Sequence, residues 1–148
     1  SNNLIEKYFV FKKYPSSLEI RIDKTEFLAY VQKEDKIFYL GSNGKFINVD
    51  EKIKEVPFIY GNFTNDEFRN LKKFIDQSIF DFKKIKNLFF FPSGRWDIET
   101  HSGILIKLPK DKLKENLNLS IKILSNKEFE GKKIIDLRQD TQVILDGQ

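Results

Sequence analysis

Leu18, Ile20 and Ile22 alternate with Glu19, Arg21 and Asp23, the period of two that a half-buried face imposes on a β-strand. Tyr14-Pro15-Ser16-Ser17 ahead of it reads as a turn. Three short apolar runs follow at 27–31, 36–40 and 45–49, separated by Lys33-Glu34-Asp35 and Gly41-Ser42-Asn43-Gly44, and this spacing predicts an antiparallel meander. The period then changes. Thr64 and Glu67 form a Ser/Thr-x-x-Glu box, and Phe68, Leu71, Ile75, Ile79 and Phe82 recur at three- and four-residue spacing, which predicts a capped helix with one apolar face. A short apolar run at 87–91 ends at Pro92. Residues 94–111, GRWDIETHSGILIKLPKD, alternate up to His101-Ser102-Gly103 and alternate again beyond it, so they predict a hairpin. Pro109 and then Leu113, Leu117, Ile121 and Leu124 predict a second helix ending near Ser125-Asn126. Two last strands are expected at 133–137 and 141–145, with Arg138-Gln139-Asp140 as a turn or bulge between them. The sum is an α+β fold, a mainly antiparallel multi-stranded sheet with two helices packed on it.

Composition narrows the function. The chain has 148 residues and 40% apolar content, enough to bury a core. Fifteen Phe and no Met predict a core of aromatic rings with Ile and Leu. Lys and Arg number 26 against 22 Asp and Glu, but the signs are interspersed. Lys83, Lys84 and Lys86, and Lys107, Lys110, Lys112 and Lys114, are flanked by acids, whereas a nucleic-acid partner requires a clustered basic stripe. The absence of Cys excludes disulfides, thiolate metal sites and a Cys nucleophile. No run of about 18 apolar residues occurs, and SNNLIEKYF has no signal-peptide organisation. A start at Ser1-Asn2 without Met leads us to expect a piece of a longer chain, and leaves open whether a membrane segment precedes it.

Candidate chemistry is sparse. His101 is the only His, at a hairpin tip, and a metal ligand there needs partners converging from neighbouring elements. None has recognisable spacing. One imidazole without a Gly-x-Ser-x-Gly elbow does not make an acyl-transfer triad, so a hydrolase or metal enzyme has only His101 to stand on. Asp97 and Glu99 share a strand face and are expected to meet water, since paired catalytic carboxylates must face each other across a cleft. Gly41-Ser42-Asn43-Gly44 lacks the Gly-Lys-Ser/Thr ending of a phosphate loop. Trp96 is expected to fill the core beneath a helix. No cofactor or metal is called for.

One segment stands apart. Thr141-Gln142-Val143-Ile144-Leu145 places apolar residues on both faces of a strand, with only Asp146-Gly147-Gln148 after it. A strand with neither charge nor Pro within it is either covered by an interior position or open to a partner strand.

The run KKYPSSLEIRIDKTEFLAYV, the Pro57-to-Gly61 P-x-x-x-G stretch, the Arg-Trp hairpin and the ending IIDLRQDTQVIL occur in the order seen in the FtsQ/DivIB bacterial cell-division proteins, which the chain resembles over nearly its whole length. The resemblance implies that residues 1–24 are the last part of a POTRA domain and 25–148 the family's β domain. It implies a single-pass inner-membrane protein with this region in the periplasm, enriched at the division site. It also implies a non-enzymatic divisome scaffold that binds FtsB and FtsL, associates with other membrane proteins of the divisome, and helps regulate septal peptidoglycan synthesis. In this family FtsB adds a strand near the C-terminus. Carried over residue by residue, the contact would involve Arg138, Gln139, Thr141, Gln142, Val143 and Leu145, with Arg95 nearby. Some relatives have an aromatic at the position of Gln139 and Gly at that of Gln142; backbone pairing does not depend on either side chain, but the aromatic anchor is missing here. A second reading is a POTRA-like module that binds extended or outer-membrane client polypeptides, also by an edge strand.

Overall fold

The structure, a computed structural model, describes residues 5–7, 12–14, 17–19, 23–24, 26–48, 55–139 and 142–147. The chain divides into two compact units, Ser1–Lys54 and Glu55–Gln148.

In the first unit, β1 (Ile5–Lys7), β2 (Lys12–Tyr14), β3 (Ser17–Glu19) and β4 (Asp23–Lys24) are short strands. β2 and β3 form an antiparallel ladder from Lys12↔Glu19 to Tyr14↔Ser17, and β1 pairs antiparallel with β4. Residues 20–22 of the expected first strand lie outside the described residues. The meander is present as β5 (Phe27–Lys33), β6 (Lys36–Gly41) and β7 (Phe46–Asn48), antiparallel throughout. Its core is aromatic: Tyr30 and Tyr39 are fully buried, and their hydroxyls share a hydrogen bond of 2.7 Å, which satisfies polar groups that burial would otherwise penalise.

The second unit begins with β8 (Phe58–Tyr60) and α1 (Asn65–Gln77). Thr64 caps α1: its Oγ1 accepts from the Glu67 N–H at 3.2 Å while Glu67 Oε1 accepts from the Thr64 N–H at 2.8 Å, the reciprocal box expected from sequence. Phe68, Leu71 and Ile75 are fully buried. The helix ends earlier than its apolar spacing suggests. Ser78 turns extended, its Oγ donating to Ile75 O at 2.7 Å, and Ile79 is left 59% exposed. Phe82 belongs instead to a 3-10 turn, Phe82–Lys84, capped by Asp81.

Strands β9 (Ile85–Phe90), β10 (Trp96–Thr100) and β11 (Leu105–Lys107) lead to α2 (Leu113–Leu124), β12 (Ile134–Gln139) and β13 (Gln142–Asp146). β10 and β11 are the expected hairpin. Pro109 does not open α2; Lys112, at φ 51°, is its N-cap. The buried face of α2 carries Leu113, Leu117, Ser120 and Ile123 rather than Ile121 and Leu124. Ser120 is tolerated there because its hydroxyl donates to Leu117 O at 2.7 Å.

The strands lie in the order β8-β9-β10-β11-β12-β13. The arrangement is α+β, as the periodicities indicate, but β8 with β9 and β11 with β12 are parallel, because each of those pairs is joined through a helix. Both crossovers connect strands that run the same way and step in the same direction across the sheet, so the right-handed rule sets α1 and α2 on one face. There they pack together, and Asn118 Oδ1 of α2 accepts the N–H of Ile79, two residues past the end of α1, at 2.8 Å. Between the helices and the sheet lie Ile59, Leu88, Ile98, Ile106, Ile135 and Leu137, all at most 2% exposed.

Trp96 seats α1 on this sheet. It is 4% exposed, with ring centroids of Phe90, Phe63 and Phe68 at 4.8, 5.9 and 6.4 Å. The P-x-x-x-G stretch also has a physical reason. Gly61 has φ +108°, and a Cβ there would fall 2.2 Å from Phe90 O, so only glycine fits between β8 and β9.

Candidate functional site: the C-terminal sheet edge and its charge row

β13 is the outermost strand, and its only sheet neighbour among the described residues is β12. The ladder is antiparallel, with Ile134↔Asp146, Ile135↔Leu145 and Asp136↔Ile144. The Leu105 N–H bonds Lys133 O on the β11 side at 2.8 Å. Backbone groups alternate in direction along a strand, so Ile134 and Asp136 turn theirs to β13, and Ile144 and Asp146 turn theirs back. The N–H and C=O of Val143 and Leu145 therefore point outward from the sheet, a free template of the kind that pairs with another chain. Val143 and Ile144 are each 40% exposed, on opposite faces of the strand.

The helix-free face of the sheet carries a row fixed by register: Tyr60, Phe89, Asp97, Lys107, Asp136 and Ile144 sit opposite one another from β8 to β13. Its centre is ionic. Arg95 NH1 donates to Asp97 Oδ1 at 3.1 Å and to Leu108 O at 2.9 Å, and its guanidinium lies 5.0 Å from the Phe91 ring centroid. Arg138 donates to Asp136 through Nε at 2.9 Å and NH2 at 2.6 Å, the two-pronged geometry that makes Arg-carboxylate pairs strong. Asp97 is 4% exposed, which corrects the expectation that it meets water like an ordinary polar-face acid. Burial pushes its carboxyl up from the usual range, against the pull of Arg95, Lys107 and Arg138. Asp136 goes the other way: the Arg138 hydrogen bond holds its carboxyl below that range despite desolvation, and Arg138 is correspondingly harder to deprotonate. Glu99, half-buried, accepts from Asn87 Nδ2 at 2.6 Å.

Of the residues singled out from sequence, Arg95 bonds the buried Asp97 and Arg138 bonds Asp136, two places along the same row. The Arg138 side chain is 44% exposed. Gln139 is exposed and opposite Gln142. Val143 and Leu145 lie on the outer strand. Thr141 lies outside the described residues. Sequence reasoning did not place Asp136 and Lys107 in the site, set Asp97 aside as solvated, and named Ile144 only as part of the apolar strand. The signal for Asp136 was its position two residues before Arg138 on one strand, which puts both on one face. His101 stands exposed at the hairpin tip, beside a cleft of about 450 Å³ whose lining of Lys83, Lys84, Thr100, Ser102, Ile104 and Leu124 contains no carboxylate to orient an imidazole.

Comparison with known proteins finds a family model and similar solved structures. Residues 29–138 match the family model of the cell division protein FtsQ/DivIB, C-terminal, a span that takes in Arg95 and ends at Arg138, just before β13. Among solved structures, the chain is similar to the major extracytoplasmic domain of the trans isomer of the bacterial cell division protein DivIB from Geobacillus stearothermophilus. That likeness is at 14% identity and TM-score 0.49, over 64% of this chain and 87% of that one. No curated protein matches. With its family model matched across well over half of its length, the chain belongs to the FtsQ/DivIB family of bacterial cell-division proteins.

Proposed function

We propose that this chain is a non-catalytic scaffold of the division machinery whose outer strand β13 takes up a strand from an FtsB- or FtsL-type partner, and that it thereby helps regulate septal peptidoglycan synthesis. Residues 1–24 are read as the end of a POTRA domain and 25–148 as the β domain, held at the inner membrane by one helix outside this sequence, with other divisome membrane proteins as further partners. The observation that carries the reading is the free outer edge of β13, with the backbone groups of Val143 and Leu145 directed away from β12. Main-chain pairing supplies register, and Val143, Ile144 and Leu145 supply apolar contact. Gln139 at the end of β12 and Gln142 at the start of β13, with Thr141 beside it in sequence, are read as further contacts. Arg95, Lys107 and Arg138 against Asp97 and Asp136 leave one positive charge in excess, so a carboxylate on the partner completes the cluster through the exposed side of Arg138.

Val143→Pro is the test. Proline removes an outward N–H and fixes φ near a value strands accept, without touching the ladder to β12. Capture of an FtsB-type peptide is expected to fall at least tenfold, about 1.4 kcal/mol, with the far-ultraviolet circular dichroism unchanged. Undiminished capture would contradict the reading, and capture of extended β-rich clients in preference to the FtsB-type peptide would favour the client-binding module.

A further inference from the structure

The docking strand has a weakness: its apolar residues do not say which way round it should lie. Val143 and Ile144 are equally exposed on opposite faces, and a strand apolar on both sides is only weakly held in register by burial. Yet the register is specific, and it contains a dislocation. From Asp136↔Ile144 to Gln139↔Gln142 the pairing advances three residues along β12 and two along β13. That is a β-bulge with one residue too many on β12. Continuing the regular pairing sets Leu137 opposite Val143 and leaves Arg138 over. Its N–H donates to Asp136 Oδ1 at 3.1 Å. The same carboxylate, 8% exposed, receives the Arg138 guanidinium through two more hydrogen bonds.

We infer that Asp136 is the register lock of the docking edge: by holding both the amide and the guanidinium of the bulged Arg138 it fixes the bulge, and so decides which residues β13 presents outward. Asp136 is a positioning residue and not a contact. Without the clamp, the hairpin can zip from Gln139↔Gln142 with no bulge, bringing Leu137 opposite Ile144 and Asp136 opposite Leu145. Every β13 side chain then changes face, because side chains alternate with a period of two. The outward N–H groups shift from Val143 and Leu145 to Ile144 and Asp146, so an incoming strand meets a different template. The inference deepens the strand-addition reading and rests on it for its functional meaning.

Its test is made on the protein alone. Cross-strand backbone NOEs in the unsubstituted chain are expected between residues 136 and 144. In Asp136→Ala they are expected to move wholly or partly to Leu137 and Ile144, with at least tenfold faster exchange of the Ile144 amide. Asp136→Asn keeps one acceptor for the Arg138 N–H but loses the charged fork, and is expected to show both NOE sets, with at least threefold faster exchange. It carries the test if the alanine variant does not fold. A single native NOE set with Ile144 exchange within twofold of the parent, in whichever of the two variants folds, overturns the register lock. Parental protein with native NOEs that captures no FtsB-type peptide overturns the strand-addition reading instead, so the two failures are distinguishable.

Discussion

Replacing Trp96 by Ala asks what the Arg-Trp hairpin is for. The indole is 4% exposed and sits among Phe63, Phe68 and Phe90, with Phe68 contributed by α1. Burying a Trp removes about 150–250 Å² from water. At about 25 cal/mol per Å² this corresponds to some 4–6 kcal/mol, an upper figure because the unfolded chain already hides part of that surface. Truncation of large buried aromatics costs about 3–5 kcal/mol, in line with that bound. For a chain of this size, at about 3 °C per kcal/mol, the melting temperature should fall by about 9–15 °C. Thermal and urea unfolding followed by circular dichroism measure the loss, and amide exchange should show α1 loosening before the β10–β11 ladder. His101→Ala, at the exposed tip of the same hairpin, should stay within about 0.5 kcal/mol of the parent. If Trp96→Ala cost less than about 1 kcal/mol, or His101→Ala cost as much as Trp96→Ala, the hairpin's role as the seat of α1 would be refuted.

Two further outcomes follow from local geometry. Gly61→Ala should cost more than Gly103→Ala in urea titrations: both glycines have positive φ, a backbone penalty of about 1–2 kcal/mol, but only at Gly61 would the new Cβ also strike Phe90 O, while nothing lies within 4 Å of Gly103. The two aspartates of the row should have opposite pH signatures. Asp136, its folded-state pKa depressed, contributes stability that is present above the ordinary carboxylate range and is lost as pH falls through the depressed value. Asp97, its folded-state pKa raised, binds its proton more tightly in the folded state, so its contribution is present below the ordinary range and is lost as pH rises through the raised value. The stability difference between Asp136→Asn and the parent should therefore change with pH below the ordinary carboxylate range, and that of Asp97→Asn above it, with opposite sign. Identical differences would contradict the assigned causes.

The elements governed by local pattern were the ones visible in the sequence. Period-two runs located the meander and the hairpin, and the Thr64–Glu67 box located the start of α1. What escaped depends on partners distant in the chain. Ile79 fits the helical stripe, yet Ser78 ends the helix and Asn118 of α2 takes the Ile79 amide, an interaction spanning 39 residues. Asp97 looks like a solvated strand acid until β11 sets Lys107 opposite it and Arg95 closes on its carboxylate. The parallel pairs appear only once the helices are seen as crossovers. Of the candidate site, the two-faced apolar strand and both arginines were legible from sequence and family likeness. A turn or bulge at 138–140 was expected, but the Asp136 clamp was not, because which side chain holds a bulge depends on the pairing of two strands and leaves no periodicity in either.

The central claim is that the outer edge of β13 receives a partner strand, and residue-resolved hydrogen exchange with and without an FtsB-type peptide measures it most directly. Protection is expected to rise at Val143 and Leu145, whose N–H groups face outward, and to change little at Ile144, which is already bonded to β12. Saturating peptide that binds and leaves the Val143 and Leu145 amides exchanging as before would contradict it.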